Sequence, residues 1–433
     1  MVLVTIVIGL SLGYALMAFT LSRRARPPLP TAPDDLHFVF MIPCLNEAGV
    51  IRATLDRLLT AFPGQASILV IDDGSEDATA EIVKSEYAGR VWLLQRALPH
   101  AREGKGMALN AGYHHLLTSG LLEGHDTDSV IICVVDADGR IGPGAIDAVA
   151  PYFGDAKTGA VQIGVRMYNA KRNRLCRMQD MEFVIFTEVF QRGKQWIGSV
   201  GLGGNGQFTR LSALEALGPT PWTTCLTEDL DLGIRLLSLG WQNAYCGDAC
   251  VAQQAVPRLR RLVRQRSRWF QGHMQCMRLI PTVMRSTVLS VRATADLVYH
   301  LTSPVLVLLT SLVTATFAAA IVRIAVFDRA GAGHLLPPVP VFVIAYCLSF
   351  GLAPIFGYVY AKREPTVSLP KAVLLAHLYV LYAFMWFAAG WIGALRAVAR
   401  RGSWAKTARV AEAPAGTVAS LAPAHDAIGA SVA

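Results

Sequence analysis

Residues 129–138 carry the sequence SVIICVVDAD, in which an apolar, β-branched run ends in the carboxylates of Asp136 and Asp138. A continuous run of this kind is typical of a strand that is buried on both faces of a parallel sheet. Three similar runs occur upstream, at 37–43, 67–72 and 91–95. Helical patterns lie between the runs, at 47–61, 77–86 and 105–118. This alternation predicts an α/β fold with a mostly parallel sheet between His37 and about Ala255.

The composition indicates a membrane protein. The chain has 433 residues, of which 53% are hydrophobic and only 16% are charged, whereas soluble domains carry about 25% charged residues. Residues 1–22 are uncharged and long enough to cross a bilayer, and Arg23 and Arg24 follow them directly. Because a secretory signal carries its positive charge before the apolar segment, we expect a retained anchor with the next domain in the cytosol.

Further apolar stretches predict three more spans, at 302–327, 339–360 and 372–395. The basic segment 257–300, which precedes these spans, has a pattern typical of interfacial helices. A solvated basic face is the alternative. These features divide the chain into an anchor (1–22), an α/β domain (37–256), the basic segment (257–300), three spans (301–397) and a tail (412–433) that we expect to be disordered.

The formal net charge of +9 suits anionic lipid headgroups or a phosphorylated substrate. Nucleic acid is not expected as a partner, because the sequence contains no basic module with interleaved aromatic residues and no zinc-finger spacing. The eight cysteines form no CxxC pair. We expect them to be reduced thiols.

Polar residues follow the first two predicted strands. Pro43, Asn46 and Glu47 come at the end of the first strand, and Asp73 comes at the end of the second. Because ligands of open α/β sheets bind at the carboxyl ends of strands, these residues predict one crevice. Acidic groups there suit the hydroxyls and base-edge donors of a nucleotide, although a turn with a helix cap would have the same composition.

Asp136 and Asp138 end the fourth strand, where two carboxylates one residue apart can engage a hard divalent cation such as Mg²⁺. Lys105 stands between two glycines at a predicted helix start, where it could meet a phosphate. Gly201, Gly203 and Gly206 match GxGxxG by spacing. We reject a dinucleotide site there because residues 207–210 resemble a strand, and we expect a glycine-rich floor under a substrate.

Two later motifs allow both structural and catalytic interpretations. The run Thr227-Glu228-Asp229 opens a helical pattern, so its acids could stabilise the helix dipole or supply a general base. Residues 265–269 are QRSRW. An arginine there can bind a diphosphate and a tryptophan can stack on a sugar, although a membrane-interface belt is the alternative.

In this order, the motifs resemble those of the processive family 2 glycosyltransferases, which include cellulose, hyaluronan, chitin-oligosaccharide and poly-N-acetylglucosamine synthases. The likeness covers residues 37–275 and the arrangement of one span before and several after the domain. It implies a Rossmann-like GT-A catalytic domain in the cytosol. It also implies an inverting transfer from a nucleotide sugar, usually a UDP-sugar, that produces a β-linkage.

The resemblance also implies roles for individual residues. Asp229 is the expected catalytic base, and Asp138 with Asp136 would hold Mg²⁺ or Mn²⁺. The residues expected to bind the nucleotide sugar are Pro43, Asn46, Glu47, Asp73, Lys105, Asp136, Gln265 and Arg268. The residues expected to bind the acceptor are Gly204, Gln207, Glu228 and Trp269.

The expected function is a multi-pass enzyme of the cell membrane that builds and exports a polysaccharide. The alternative is addition of one sugar to a lipid acceptor, polyprenyl phosphate or diacylglycerol, because the FxVTxK gating segment of the better-known synthases is missing. Four spans leave a narrow channel, or one shared with a second copy of the chain or an accessory subunit. A transporter is disfavoured, because only Arg323 and His377 are ionisable within the later spans.

Overall fold

The computed structural model describes residues 2–327 and 339–399. Eight strands form one sheet, and their bounds are His37–Cys44 (β1), Ala66–Asp72 (β2), Trp92–Gln95 (β3), Val130–Val134 (β4), Arg140–Ile141 (β5), Thr158–Met167 (β6), Gln207–Arg210 (β7) and Gln242–Gln253 (β8). Their order across the sheet is β3-β2-β1-β4-β7-β6-β8-β5.

The first half of the sheet is parallel, as the sequence predicts, because β1 pairs in parallel with both β2 and β4. The second half is mixed. Strand β7 runs antiparallel to β4 and β6, and β5 runs antiparallel to β8. A strand as short as Gln207–Arg210 carries no sequence signal for its direction, which is set by the path of the chain between β6 and β7.

The helices of the α/β domain flank this sheet, and their bounds are Ile51–Ala61 (α2), Thr79–Glu86 (α3), Lys105–Thr118 (α4), Ala145–Val149 (α5), Arg174–Ile185 (α6), Arg192–Ile197 (α7), Leu211–Glu215 (α8) and Glu228–Ser238 (α9). A π-helical turn, Phe186–Gln191, joins α6 to α7. The predicted helix at 47–61 starts only at Ile51, since residues 47–50 form a turn.

Strand β1 explains why the apolar runs are continuous rather than alternating. Phe40 and Ile42 pack on one face of the sheet with Leu55 of α2. Val39 and Met41 pack on the opposite face, where α4 lies. Because successive side chains of a strand point to opposite faces, a strand covered on both sides must be apolar at every position.

The remaining helices lie outside the sheet, and their bounds are Val2–Ser22 (α1), Leu259–Cys276 (α10), Ile280–Arg285 (α11), Val291–Phe327 (α12), Val339–Phe350 (α13), Ala353–Arg363 (α14), Leu369–Ala383 (α15) and Met385–Val398 (α16). Three stretches are long and apolar enough to cross a membrane: Val291–Ile324, Val339–Arg363 and Leu369–Val398. Gly9–Ser22 forms a shorter apolar helix.

The helices of the predicted basic segment can now be given their bounds. Helix α12 starts at Val291, so the last part of the predicted basic segment 257–300 belongs to the first long apolar helix. Helix α10 and the short α11 precede it as separate helices. The predicted tail at 412–433 lies outside the described residues.

Buried polar contacts fix helix α14 to the α/β domain. Asp180 of α6 is fully buried and accepts hydrogen bonds from the Arg166 guanidinium at 3.1 Å and from the Tyr360 hydroxyl of α14 at 2.9 Å. Arg363, at the end of α14, donates to Glu188 at 2.7 Å. Because a buried carboxylate is stable only when it is paired, these contacts hold α14 in one position against α6.

Candidate active site

One cavity of about 590 Å³ lies at the carboxyl ends of β1, β2 and β4 and extends to α10, α12, α15 and α16. It brings together most of the predicted site residues: Pro43, Glu47, Asp73, Lys105, Asp136, Gly204, Glu228, Asp229, Gln265, Arg268 and Trp269. Residues far apart in the sequence therefore share one chamber, as expected for polar strand ends of an open sheet.

Three predicted site residues do not line this cavity. Asn46 is exposed and accepts a hydrogen bond from the backbone N–H of Glu76 at 2.8 Å, which joins the loops after β1 and β2. Asp138 is buried and accepts from the backbone N–H of Gln254 at 3.0 Å. Gln207 is buried in strand β7. The roles assigned to these three side chains stay predictions.

Lys105 is the centre of the charged cluster. It is the first residue of α4 and follows Gly104, whose φ of 118° favours glycine. Its ammonium donates to Asp136 Oδ1 at 2.7 Å and to the Gly204 carbonyl, and it lies 3.7 Å from Glu228 Oε1. A Cβ on Gly204 would lie 3.0 Å from the Lys105 Nζ atom, so only glycine fits there without a shift.

Burial controls the protonation of this cluster. It raises the pKa of Glu228 to about 7 even though the charge of Lys105 opposes the rise. Burial also raises the pKa of Asp229, again against Lys105. The pKa of Lys105 lies above its usual value, because the attraction of Asp136 and Glu228 outweighs the effect of burial. The cluster thus holds a charged ammonium beside Glu228, a carboxyl that can exchange its proton near neutral pH.

The third acid of the Thr227–Asp231 run has a different environment. Asp231 is fully buried and binds the Arg235 guanidinium at 2.7 Å and the Arg278 guanidinium at 2.5 Å. The thiols of Cys225 and Cys276 lie close to it, with their sulfur atoms 3.5 Å apart. Because two guanidinium groups already neutralise Asp231, we interpret this cluster as structural and leave Glu228 and Asp229 as the reactive acids.

Asp73 has a partner that sequence reasoning missed. Its buried carboxylate pairs with Arg96, which stands directly after β3. Burial raises the pKa of Asp73, and the neighbouring arginines oppose that rise without cancelling it. In the sequence this pair is marked by an arginine directly after the third strand. The sequence pattern does not distinguish that arginine from those on the surface.

The QRSRW motif divides between two faces of α10. Gln265, Arg268 and Trp269 line the cavity. The side chain of Arg266 does not line the cavity. It is 1% exposed and packs between α10 and the neighbouring helices, where it binds Glu182 at 2.6 Å. Its guanidinium stands 3.9 Å from the centre of the Trp269 ring, a cation–π contact that fixes the indole. The sequence gives no sign of this role, because Glu182 belongs to no motif.

The acidic pair after β4 fits a hard divalent cation by its chemistry. Asp136 and Asp138 offer carboxylate oxygens, which Mg²⁺ and Mn²⁺ prefer to nitrogen or sulfur. Asp136 lines the cavity, whereas Asp138 lies behind it in the buried layer. These two residues are the candidates for holding the metal.

Comparison with known proteins places this geometry in a family. A family model described as "Glycosyltransferase like family 2" matches residues 33–272, which is more than half of the chain. The chain is 34% identical over 251 residues to a beta-monoglucosyldiacylglycerol synthase of Trichormus variabilis, covering 56% of this chain and 50% of that protein. It is 27% identical over 266 residues to a poly-beta-1,6-N-acetyl-D-glucosamine synthase of Staphylococcus aureus, covering 59% and 60%.

The matched part of the chain thus spans about half of the length of the curated relatives. Among solved structures, a mannosyltransferase from Pyrobaculum calidifontis in complex with GDP-Man and Mn²⁺ superposes with a TM-score of 0.60 at 18% identity. The superposition covers 92% of this chain and 97% of that one. At this identity the likeness concerns the fold, and it confirms the predicted GT-A architecture with helices after the domain.

Proposed function

The chain belongs to glycosyltransferase family 2, and from this premise we propose that it transfers a sugar from a nucleotide-diphosphate sugar to an acceptor hydroxyl at a membrane. The observation that carries the proposal is the single cavity. It joins the charged cluster around Lys105 and Glu228 to Trp269 and to the membrane helices. Donor and acceptor can therefore meet without leaving one chamber.

The donor binds, in this proposal, along the carboxyl ends of β1, β2 and β4. Asp73 contacts the nucleoside, as expected for an acid at the second strand end, with Pro43 and Glu47 beside it. Lys105 and Arg268 meet the diphosphate, for which an ammonium and a guanidinium supply complementary charge. A UDP-sugar is the expected donor, by resemblance to the processive synthases, and the solved neighbour with GDP-Man makes GDP-sugars the alternative.

Asp229 is the proposed catalytic base. Its carboxylate takes the proton of the acceptor hydroxyl while that oxygen attacks the anomeric carbon from the face opposite the diphosphate. One carbon–oxygen bond forms, the bond to the diphosphate breaks, and an α-linked donor yields a β-linked product. A correctly placed general base contributes about 10²–10⁴-fold. The charge of Lys105 opposes the rise that burial causes in the pKa of this carboxyl.

A divalent cation held by Asp136 and Asp138 would neutralise charge on the departing diphosphate as a Lewis acid. The donor set fits Mg²⁺ or Mn²⁺, and the fold neighbour contains Mn²⁺. Lys105 contacts Asp136 at 2.7 Å, so the ammonium proposed to meet the diphosphate also lies beside a carboxylate of the proposed metal site. It balances the charge of Asp136 before the donor enters.

We propose a multi-pass protein of the cell membrane with the catalytic domain in the cytosol. The three apolar stretches after the domain support this placement. So do Arg23 and Arg24, which follow the apolar helix α1 on the side of the domain. Nucleotide sugars of the cytosol would then have direct access to the cavity.

Two acceptors are supported by specific relatives. A growing glycan is supported by the poly-N-acetylglucosamine synthase and by the QRSRW motif. A lipid is supported by the diacylglycerol glucosyltransferase, which has the higher identity.

The test uses membranes containing the full chain, a panel of UDP- and GDP-sugars, and the Asp229→Asn variant as control. Nucleotide release and product size are followed together. A large product from one donor indicates a polymerase, and an organic-extractable product indicates a glycolipid transferase. Equal nucleotide release by both proteins with every donor would refute the proposed transfer.

A further inference from the structure

Helix α12 contains a proline that changes the backbone hydrogen bonding of the residue four positions before it. In an α-helix the N–H of each residue donates to the carbonyl four positions before it, and proline has no N–H. Pro304 therefore leaves the carbonyl of His300 without its intrahelical donor. That carbonyl accepts instead from the Nε2 atom of His273 on α10, at 2.9 Å.

This contact fixes the chemical state of the His273 ring. A carbonyl oxygen only accepts, so Nε2 must carry the hydrogen and, in the neutral ring, Nδ1 is left as an acceptor. Burial, together with the nearby charge of Lys194, lowers the pKa of His273 to about 4, although the hydrogen bond to His300 opposes this shift. The ring is thus neutral at physiological pH, in one tautomer, with the His300 ring packed 4.6 Å from it.

Both histidines line the cavity beside the reacting groups. His273 follows Trp269 by four positions and so lies on the same face of α10. One face of α12 lines the cavity with His300, Ser303, Pro304 and Val307. The last three follow His300 by three, four and seven positions, so the four residues form a line about 10 Å long on the helix. The lining of the cavity therefore changes from imidazole and hydroxyl to purely apolar side chains.

The apolar end of this path leads to the part of α12 whose apolar side chains are exposed. Beyond Val307 about 26 Å of apolar helix remain before Ile324, close to the thickness of a bilayer core. The side chains of Leu309, Leu312 and Phe317 there are about half exposed. Among the described residues of α12, those that line the cavity end at Val307.

The chemistry of the His273 ring favours an uncharged hydroxyl as its ligand. Six carboxyl groups line the cavity as a whole, and they belong to Glu47, Asp73, Asp136, Glu182, Glu228 and Asp229. Lys194 pairs with Asp296 at 3.1 Å and Arg266 with Glu182 at 2.6 Å, while Lys105 and Arg268 line the cavity on the side proposed for the donor. A neutral His273 ring whose Nδ1 only accepts can bind the hydrogen of a hydroxyl, whereas a phosphate gains no opposite charge from it.

We infer that His273, held by the His300 carbonyl that Pro304 frees, binds the acceptor through Nδ1, and that the acceptor is an uncharged lipid alcohol of the diacylglycerol class. The hydroxyl lies between His273, Trp269 and Asp229, and the acyl chains pass along Pro304 and Val307 into the bilayer. This inference rests on the proposed glycosyl transfer and narrows its acceptor.

The experiment uses the full-length protein in detergent, with the donor selected from the nucleotide-sugar panel. Three acceptors are compared: dioleoylglycerol, undecaprenyl phosphate and an N-acetylglucosamine tetrasaccharide. We expect nucleotide release with dioleoylglycerol and an organic-extractable product. Release only with the phosphate or the tetrasaccharide would overturn the inference and leave the proposed transfer intact. No release with any acceptor or donor would overturn both.

Two matched variants separate binding by His273 from a purely structural role. His273→Gln places an amide N–H near the position of Nε2, so it keeps the donor to the His300 carbonyl but removes Nδ1. His273→Asn keeps an acceptor near the position of Nδ1 but removes the donor to the His300 carbonyl. We expect His273→Gln to raise the acceptor KM about tenfold, the value of one hydrogen bond, with the donor KM unchanged. We expect His273→Asn to keep the acceptor KM within about threefold while lowering thermal stability.

An unchanged acceptor KM in His273→Gln would show that the histidine only satisfies the carbonyl, and would overturn the inference. If His273→Gln does not fold, Pro304→Ala provides the second measurement. It restores the backbone N–H that donates to the His300 carbonyl within the helix. The His273 ring is then no longer held in one tautomer. We expect a higher acceptor KM with unchanged donor affinity, and an unaltered acceptor KM would overturn the inference.

Discussion

Replacing Lys105 by methionine tests the electrostatic design of the site. The Lys105 ammonium lies 3.7 Å from Glu228, and both side chains are largely buried. At an effective dielectric constant of about 20, two unit charges at this separation attract each other by about 4.5 kcal/mol. Since one pKa unit equals about 1.4 kcal/mol, this attraction could lower the pKa of Glu228 by about three units.

The pKa of Glu228 is about 7 with Lys105 present, so we expect Lys105→Met to raise it by one to three units. The pKa of Asp229 should rise as well, because Lys105 also lowers it. A carboxylate acts as a base only above its pKa, and activity is lost as the pH falls through that value. The acidic limb of kcat should therefore move to higher pH in the variant.

The assay is nucleotide release from pH 5 to pH 10, with donor at saturation. Lys105→Arg is the control, because it keeps the positive charge and should keep the acidic limb within about one unit of wild type. Infrared titration of the protonated carboxyl band, with Glu228→Gln for assignment, gives the same information if Lys105→Met is too slow to assay. An acidic limb and a carboxyl titration that match those of wild type would refute the reasoning.

Three further predictions concern single groups of the site. Asp229→Asn should reduce transfer about 10²–10⁴-fold while nucleotide binding and membrane insertion persist; loss of insertion instead would identify Asp229 as structural. Chelation by EDTA should abolish transfer until Mn²⁺ or Mg²⁺ is restored, and Asp138→Asn should raise the Mn²⁺ concentration needed; undiminished activity in EDTA would contradict the metal assignment. Trp269→Ala should raise the acceptor KM with nucleotide affinity nearly unchanged, and an equal loss of both would contradict stacking on the acceptor.

The elements nearest to the predicted crevice could be found from the sequence because their signals are local. Helix α4 covers Lys105–Thr118, the predicted range, since glycine at 104 and a continuous helical pattern mark it. Strands β1 and β2 agree with their predictions within one residue. Their apolar runs reflect burial on both faces, which is a property of each strand by itself.

The choice among neighbouring acids could not be made in the same way. Glu228, Asp229 and Asp231 share one short run, and composition does not distinguish them. The helix directs Asp231 toward Arg235 and Arg278, whereas Glu228 and Asp229 face Lys105. Only the packing of α9 against α10 and α4 separates the structural acid from the reactive ones.

The α/β domain, the apolar stretches after it and the order of the motifs are visible in the sequence, because periodicity and composition reflect which faces are buried. Packing brings Lys105 between Asp136 and Glu228, places Arg266 against Trp269, and joins the His300 carbonyl freed by Pro304 to His273. These contacts join residues distant in the chain, and their energies depend on burial and separation. Neither quantity exists before the helices pack.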